Sequence, residues 1–351
     1  MNPRKIKSIC ILRLSALGDC INTFGLIHAL LSEKPDLKIL WVIDKRFAPL
    51  FRNHLGKDLV PMLCVDFKNH SIFDVRHQIK KFIGTQVFDY VFALQTSIKA
   101  SLCLGPIKSK TKLGYDNERA REGQFLFVDK RVPSPNNPHV LAGFMAFSEF
   151  VGFDDLRPSW DFELDESELL PYKNEFKEDK IFAISPSSAK ESKNWTLQGY
   201  VDVATHALDE GFKVVLLGSN KESEIELCSQ ISKKLDNRCL NLCGKTNLRQ
   251  LAAVISLCSL VLSPDSAAMH LASALNIPVI GLFAIHNPKR VGSWNYPDLW
   301  VSVYNECASK ECKGQNITWR YRVKDPNAMK LINSDDVIDT FDKACEKYLD
   351  C

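Results

Sequence analysis

Ser263-Pro264-Asp265-Ser266-Ala267-Ala268-Met269-His270 lies between an apolar run at 257–262 and a helical pattern at 269–275, and a second apolar run follows at 277–283. That order reads as strand, tight turn, helix, strand. A helix N-terminus presents unbonded backbone N–H groups and the positive end of the dipole, so the turn suits a diphosphate held by Ser266, Ala267 and Ala268. Asp265 and Ser266 are also natural N-caps, and capping alone would account for them. His270, one turn into the helix, is either a packing residue or a ligand of the same anion.

Outward from this turn, the second half of the chain repeats one rhythm. Strands are predicted at 181–185, 213–217 and 239–242, and helices at 196–210, 222–235 and 248–257. The first half carries the same rhythm: an apolar run at 6–14, a helix from Cys20 to Leu31 closed by Pro35, and a strand at 38–43. A helix at 72–83, a strand at 90–94 and a helix at 97–103 follow, then a Pro-rich loop at 132–138 and a Phe-rich helix to about Val151. Strands alternating with helices imply parallel sheets covered on both faces, an α/β protein of two doubly wound halves. The domains are expected at 1–160 and 178–333, with a linker around 157–178. A last helix at 334–351, capped at Ser334, is expected to pack back across the domains.

Composition narrows the partners. A chain of 351 residues, 45% hydrophobic and 25% charged, can bury two ordinary cores. Net charge +3 is too small to argue for nucleic acid. Twelve cysteines are scattered, and neither Cys239/Cys243 nor Cys307/Cys312 completes a zinc pattern, so reduced structural thiols are expected. The basic N-terminus leads into an apolar run broken by Arg13, without a cleavage site, and no run approaches a membrane span. These features point to a cytoplasmic protein.

Four clusters could carry chemistry. In Arg13-Leu14-Ser15-Ala16-Leu17-Gly18-Asp19, Asp19 falls at a helix start, where it either caps the helix or accepts a proton from a substrate hydroxyl. The loop from Ser185 through Ser187, Ser188, Lys190 and Lys193 to Trp195 offers hydroxyls, amides and two lysines after a strand, as a phosphate cradle or as ordinary charged surface. Glu222 and Glu224 follow the next strand, where an acid often binds ribose hydroxyls. Lys112, Arg119 and Arg121 form a small basic group suited to solvent or to an anionic acceptor. Neither half opens with GxGxxG and no Walker A lysine motif is present, which argues against nicotinamide and nucleotide-triphosphate chemistry.

Leu-Arg-Leu-Ser-Ala-Leu-Gly-Asp at 12–19, Ser-Pro-Ser-Ser with Ser-Lys-Asn-Trp at 185–195, and Ser-Pro-Asp-Ser with Met-His-Leu-Ala at 263–272 together resemble glycosyltransferase family 9, the lipopolysaccharide core heptosyltransferases. The resemblance covers nearly the whole chain. It implies a GT-B fold, two Rossmann-like domains facing a central cleft. The activity implied is inverting transfer of L-glycero-D-manno-heptose from ADP-heptose to a Kdo of the inner core, with no metal or other cofactor. It places the base at Asp19, the phosphate lysine at Lys193, donor contacts at Ser187, Ser188, Asp265, Ser266 and His270, and the ribose acid at Glu222 or Glu224. The stretches 13–19, 117–124 and 319–332 look closest to enzymes adding the first heptose to a Kdo–lipid A acceptor at the cytoplasmic face of the inner membrane. Ala267 stands where the family commonly has Gly. Transfer to an already heptosylated core, transfer of another nucleotide-activated sugar, or non-catalytic nucleotide-sugar binding are the competing readings.

Overall fold

The computed structural model describes residues 5–349 except 178, 189 and 314. Residues 1–4 of the basic N-terminus and Cys351 lie outside the described residues. The chain divides into two units, Met1–Glu163 and Leu164–Cys351.

The first unit runs β1 (Ser8–Leu12), α1 (Leu17–Glu33), β2 (Lys38–Asp44), β3 (Met62–Val65), α2 (Ile72–Ile83), β4 (Phe88–Ala93), α3 (Ile98–Cys103), β5 (Ser109–Tyr115), β6 (Lys130–Val132) and α4 (Val140–Phe150). Its strands are all parallel, in the order β3-β2-β1-β4-β5-β6. Ile9, Cys10, Ile11 and Leu12 are fully buried, because helices cover both faces of the central strand. α2 buries one stripe, Val75, Ile79 and Ile83, at helical spacing. The Phe-rich α4 is core: Phe144 and Phe147 are buried, and Phe147 packs on Phe92 and Tyr115.

The second unit runs α5 (Glu166–Phe176), β7 (Ile181–Ile184), α6 (Leu197–Asp209), β8 (Lys213–Leu216), α7 (Glu222–Lys234), β9 (Cys239–Asn241), α8 (Leu248–Ser256), β10 (Leu260–Pro264), α9 (Ala267–Ala274), β11 (Val279–Phe283), α10 (Pro288–Val291), β12 (Trp300–Ser302), α11 (Tyr304–Cys312) and α12 (Ser334–Tyr348). The order β12-β11-β10-β7-β8-β9 repeats that of the first sheet, again fully parallel. In each sheet the strand order reverses beside the first strand: between β1 and β4, and between β7 and β10. Ligands of such sheets bind beyond the carboxyl ends at these points.

The boundary between the two units, Glu163/Leu164, falls inside the expected linker around 157–178, and described residues on either side of it pack into their own unit. Trp160 donates its indole N–H to the carbonyl of Ile21 at 2.7 Å, and Phe162 packs on Phe24 at 5.4 Å, both within the first unit. Three residues later Asp165 and Glu168 close a capping box and start α5, whose Glu168 is ion-paired with Arg249 of α8. α12 packs on α6, β11 and β12 of its own unit. There Phe341 stands edge-on to Phe182 and Phe212, each at 5.1 Å. Short strands β3, β6 and β12 have no sequence counterpart in the expected pattern. Each has only three or four residues at or near a sheet edge, too few to display a period.

Candidate active site

In the first unit the loop after β1 carries Asp19. The helix it enters, α1, has Ala16 as N-cap and no side-chain cap, so Asp19 does not cap it. Its carboxylate is instead ion-paired through Oδ2 with the guanidinium of Arg13, six residues earlier. Arg13 is itself held: it donates to the carbonyl of Leu94 at 2.5 Å and lies 5.4 Å above the Phe144 ring. Its side chain is 12% exposed against 29% for Asp19, so the cation is the buried anchor and the carboxylate the open end.

The same loop is tied to the neighbouring strand. Leu14 and Ser15 donate their N–H groups to Gln95 Oε1 at 2.8 and 3.1 Å. Gln124, fully buried, donates to the carbonyls of Ala93 and Gln95 at 2.9 and 3.1 Å and accepts from Tyr115 N–H. Two glutamines therefore link the ends of β1, β4 and β5 across the reversal of strand order. A buried amide satisfied at both ends makes a stiff support.

In the second unit three adjacent strand ends converge. The loop after β7 forms a short 3-10 helix, Glu191–Lys193, and ends at Trp195, whose indole N–H donates to the carbonyl of Ile332 at 3.0 Å. Lys193 Nζ then reaches the loop after β10, donating to the Asp265 carbonyl at 2.5 Å and to its Oδ2 at 3.2 Å. From the loop after β11, His286 places Nδ1 2.5 Å from the same Oδ2. Burial alone would raise the Asp265 carboxyl. The hydrogen bond with His286 and the charges of Lys193, His286 and His270 outweigh burial and hold it well below the usual carboxylate range.

Ser266 is the N-cap of α9: its Oγ accepts from Ala268 N–H at 3.2 Å and lies 2.7 Å from Ser263 Oγ. Ala267 is the first helical residue with a right-handed backbone, a conformation in which a Cβ is no hindrance. Ser188 shapes its own loop, donating N–H to Asn194 Oδ1 at 2.9 Å and Oγ–H to the Lys190 carbonyl at 2.9 Å. Ser187 is buried, and its Oγ has no hydrogen-bond partner. A buried hydroxyl without a partner beside a cationic loop is a donor awaiting an acceptor.

The two glutamates part company. Glu224 accepts the N–H of Ser219 at 2.7 Å and so sets the loop after β8, whereas Glu222 is exposed in the first turn of α7. The basic group expected of Lys112, Arg119 and Arg121 does not assemble as one exposed patch. Arg119 is 4% exposed, holds Asp116 and the Val132 carbonyl and lies over Tyr115, all as internal support. Lys112 lies half-buried in β5, where burial lowers its pKa, and Arg121 is exposed. No group of three or more His, Cys, Asp or Glu residues suited to a metal occurs among the described residues.

Sequence reasoning passed over His286 and the partnership of Arg13 with Asp19. Arg13 belonged to the quoted motif, but its spacing does not say where its side chain turns. His286 follows an apolar strand by three residues, a position at the ligand-binding end, and that signal was available.

A family model for glycosyltransferase family 9 (heptosyltransferase) matches residues 76–321. The chain belongs to glycosyltransferase family 9. Over 95% of its length, and 95% of the relative's, this family 9 enzyme is 36% identical to the lipopolysaccharide core heptosyltransferase OpsX of Haemophilus influenzae. Its fold is GT-B, that of the glycosyl transferase family 9 structure from Veillonella parvula, with TM-score 0.78, 19% identity and 97% of each chain covered. Heptosyltransferase WaaC of E. coli, solved with ADP, matches with TM-score 0.71 and 16% identity over 96% of this chain and 99% of that one. No helix among the described residues of the family 9 chain is long and apolar enough to cross a membrane.

Proposed function

We propose that this glycosyltransferase moves L-glycero-D-manno-heptose from ADP-heptose, with inversion, onto a Kdo residue of the lipid A–Kdo inner core. Its place among enzymes of lipopolysaccharide core assembly rests on the family and on the likeness to OpsX along nearly the whole chain. The observation that carries the donor half is the convergence of Lys193, Asp265 and the N-terminus of α9 at the reversal of the second sheet.

In this reading Lys193 and the first N–H groups of α9 bind the diphosphate, joined by the hydroxyls of Ser187 and Ser266 and by His270. Glu222 or Glu224 takes the ribose. As the bond from the anomeric carbon to the diphosphate breaks, its electron pair goes to the departing phosphate oxygen. Lys193 and the helix dipole stabilise that charge. The acceptor hydroxyl attacks the opposite face of the sugar, a new glycosidic bond forms, and the hydroxyl proton passes to Asp19. Lys112 and Arg121 are proposed to meet the anionic acceptor. The enzyme is placed in the cytoplasm, working where its lipid-linked acceptor meets the inner face of the inner membrane, and it needs no metal.

The test is release of ADP from ADP-heptose with and without Kdo–lipid A. Acceptor-dependent release that disappears in Asp19→Ala, with ADP binding retained, supports the whole reading. Release only with a heptosylated core moves the enzyme to a later heptose. Binding without any release makes it a nucleotide-sugar-binding protein.

A further inference from the structure

His286 sits where the sheet brings a third loop to the donor site. Its backbone is fixed, since residue 286 bridges Arg322 and the carbonyl of Ile285 accepts Val323 N–H at 3.0 Å. The residue is 9% exposed. An ionised carboxylate can only accept, so Nδ1 is the donor towards Asp265 Oδ2. Nε2 is buried without a hydrogen-bond partner, so the polar function of the ring is spent on Asp265. Oδ2 takes both Lys193 and His286, and among the described residues no hydrogen bond to Asp265 Oδ1 is found.

We propose that His286 is a positioning residue for the donor site: it pins Asp265 through Oδ2, leaving Oδ1 to accept a hydroxyl of the ADP-heptose donor and keeping Lys193 in place beside the diphosphate. This rests on the reading of that loop cluster as the donor site. Lys193 already draws on Oδ2 from one side. Without a second donor the carboxylate is free to rotate about its terminal torsion, which is broad and soft, and to exchange its two oxygens. A locked supporting side chain is what a site needs to hold its ligand-facing group within a fraction of an ångström.

Asparagine and glutamine separate positioning from mere packing. In His286→Asn the amide nitrogen falls near the place of Nδ1, whereas in His286→Gln it falls near Nε2. Initial rates with ADP-heptose at saturating acceptor give kcat and KM for the wild type, H286A, H286Q, H286N, D265N and the H286A/D265N double variant. H286A and H286Q are expected to lose about 10- to 100-fold in kcat/KM, the scale of a lost charge-assisted hydrogen bond, while H286N stays within about threefold. In the D265N background H286A is expected to cost less than about twofold, because its partner is already altered.

Equal losses in H286N and H286A, or the same loss from H286A in both backgrounds, overturn the proposal. If H286A fails to fold, the comparison of H286N with H286Q decides alone. A wild type that turns over ADP-heptose beside an equally active H286A sinks this inference only. A wild type that neither binds ADP nor releases it sinks the donor reading and this inference with it.

Discussion

Arg13 holds Asp19 from the buried side. The guanidinium is fixed by the Leu94 carbonyl and the Phe144 ring, and the carboxylate it pairs with is the more exposed of the two. Arg13 thus aims the proposed base through Oδ2, and among the described residues no hydrogen bond to Oδ1 is found. Asp19→Asn is expected to remove turnover by about a thousandfold or more, in line with loss of general-base catalysis, and to leave ADP affinity within about twofold. Single-turnover rates and calorimetric titration with ADP check both halves.

Arg13→Lys keeps the charge but loses the planar fork that reaches Asp19 and Leu94 together. A drop in kcat of about 10-fold or more is expected, with the KM for ADP-heptose little changed. An arginine there for charge alone would show near wild-type kcat in the lysine variant.

Lys193 and Lys190 share a loop, yet only Lys193 reaches Asp265, while Lys190 is exposed. Lys193→Ala is expected to raise the KM for ADP-heptose and lower kcat, because its charge serves the bound diphosphate and the departing one. Lys190→Ala should alter either constant by less than about threefold. Steady-state rates of the two variants, measured side by side, decide which lysine meets the phosphate.

Gly199 lies in α6 against the indole of Trp195. A Cβ added there would come within 2.4 Å of that ring. Gly199→Ala must displace Trp195, which is 5% exposed and bonded to Ile332. A loss of about 1–3 kcal/mol is expected from overpacking, read from the urea midpoint at unchanged slope. Since Trp195 ends the Lys193 loop, donor KM should rise in the same variant.

The depressed Asp265 carboxyl links stability to pH. Its folded value lies below its unfolded one, so the stabilisation is full above the ordinary carboxylate range, about 3.9, and is lost as pH falls through that range towards the folded value. The slope for one proton approaches about 1.4 kcal/mol per pH unit. Wild type should therefore begin to lose its advantage over Asp265→Asn as pH falls from about 4.5 to about 3 in urea unfolding, and go on losing it below that. Parallel acid profiles of the two proteins would contradict this.

Much of the fold was legible because it is written in local periods. Fully buried strands such as β1 and β10 show as apolar runs, and α6 announces itself by cap and stripe, whereas α12 shows its stripe but is capped by Asn333 rather than by the expected Ser334, which is its first helical residue. Within the expected linker around 157–178, the packing of Trp160 and Phe162 was not legible because they are isolated aromatics in polar sequence. Their burial depends on α1, over a hundred residues away in the chain. Arg119 shows the reverse error: a charge expected at the surface is satisfied inside by Asp116 and the Val132 carbonyl.

Sequence by itself determined the alternation of strand and helix, the two matching halves and the positions of Asp19, Lys193 and Asp265 after predicted strands, since each depends on neighbours a few residues away. Tertiary structure alone decided which strand ends adjoin. Placing β11 beside β10 and β10 beside β7 brings His286, Asp265 and Lys193 into one line, although 93 residues separate the first from the last. Strand order and register are non-local, and hydrogen-bond partners at loop ends follow from them. No spacing along the chain encodes that meeting.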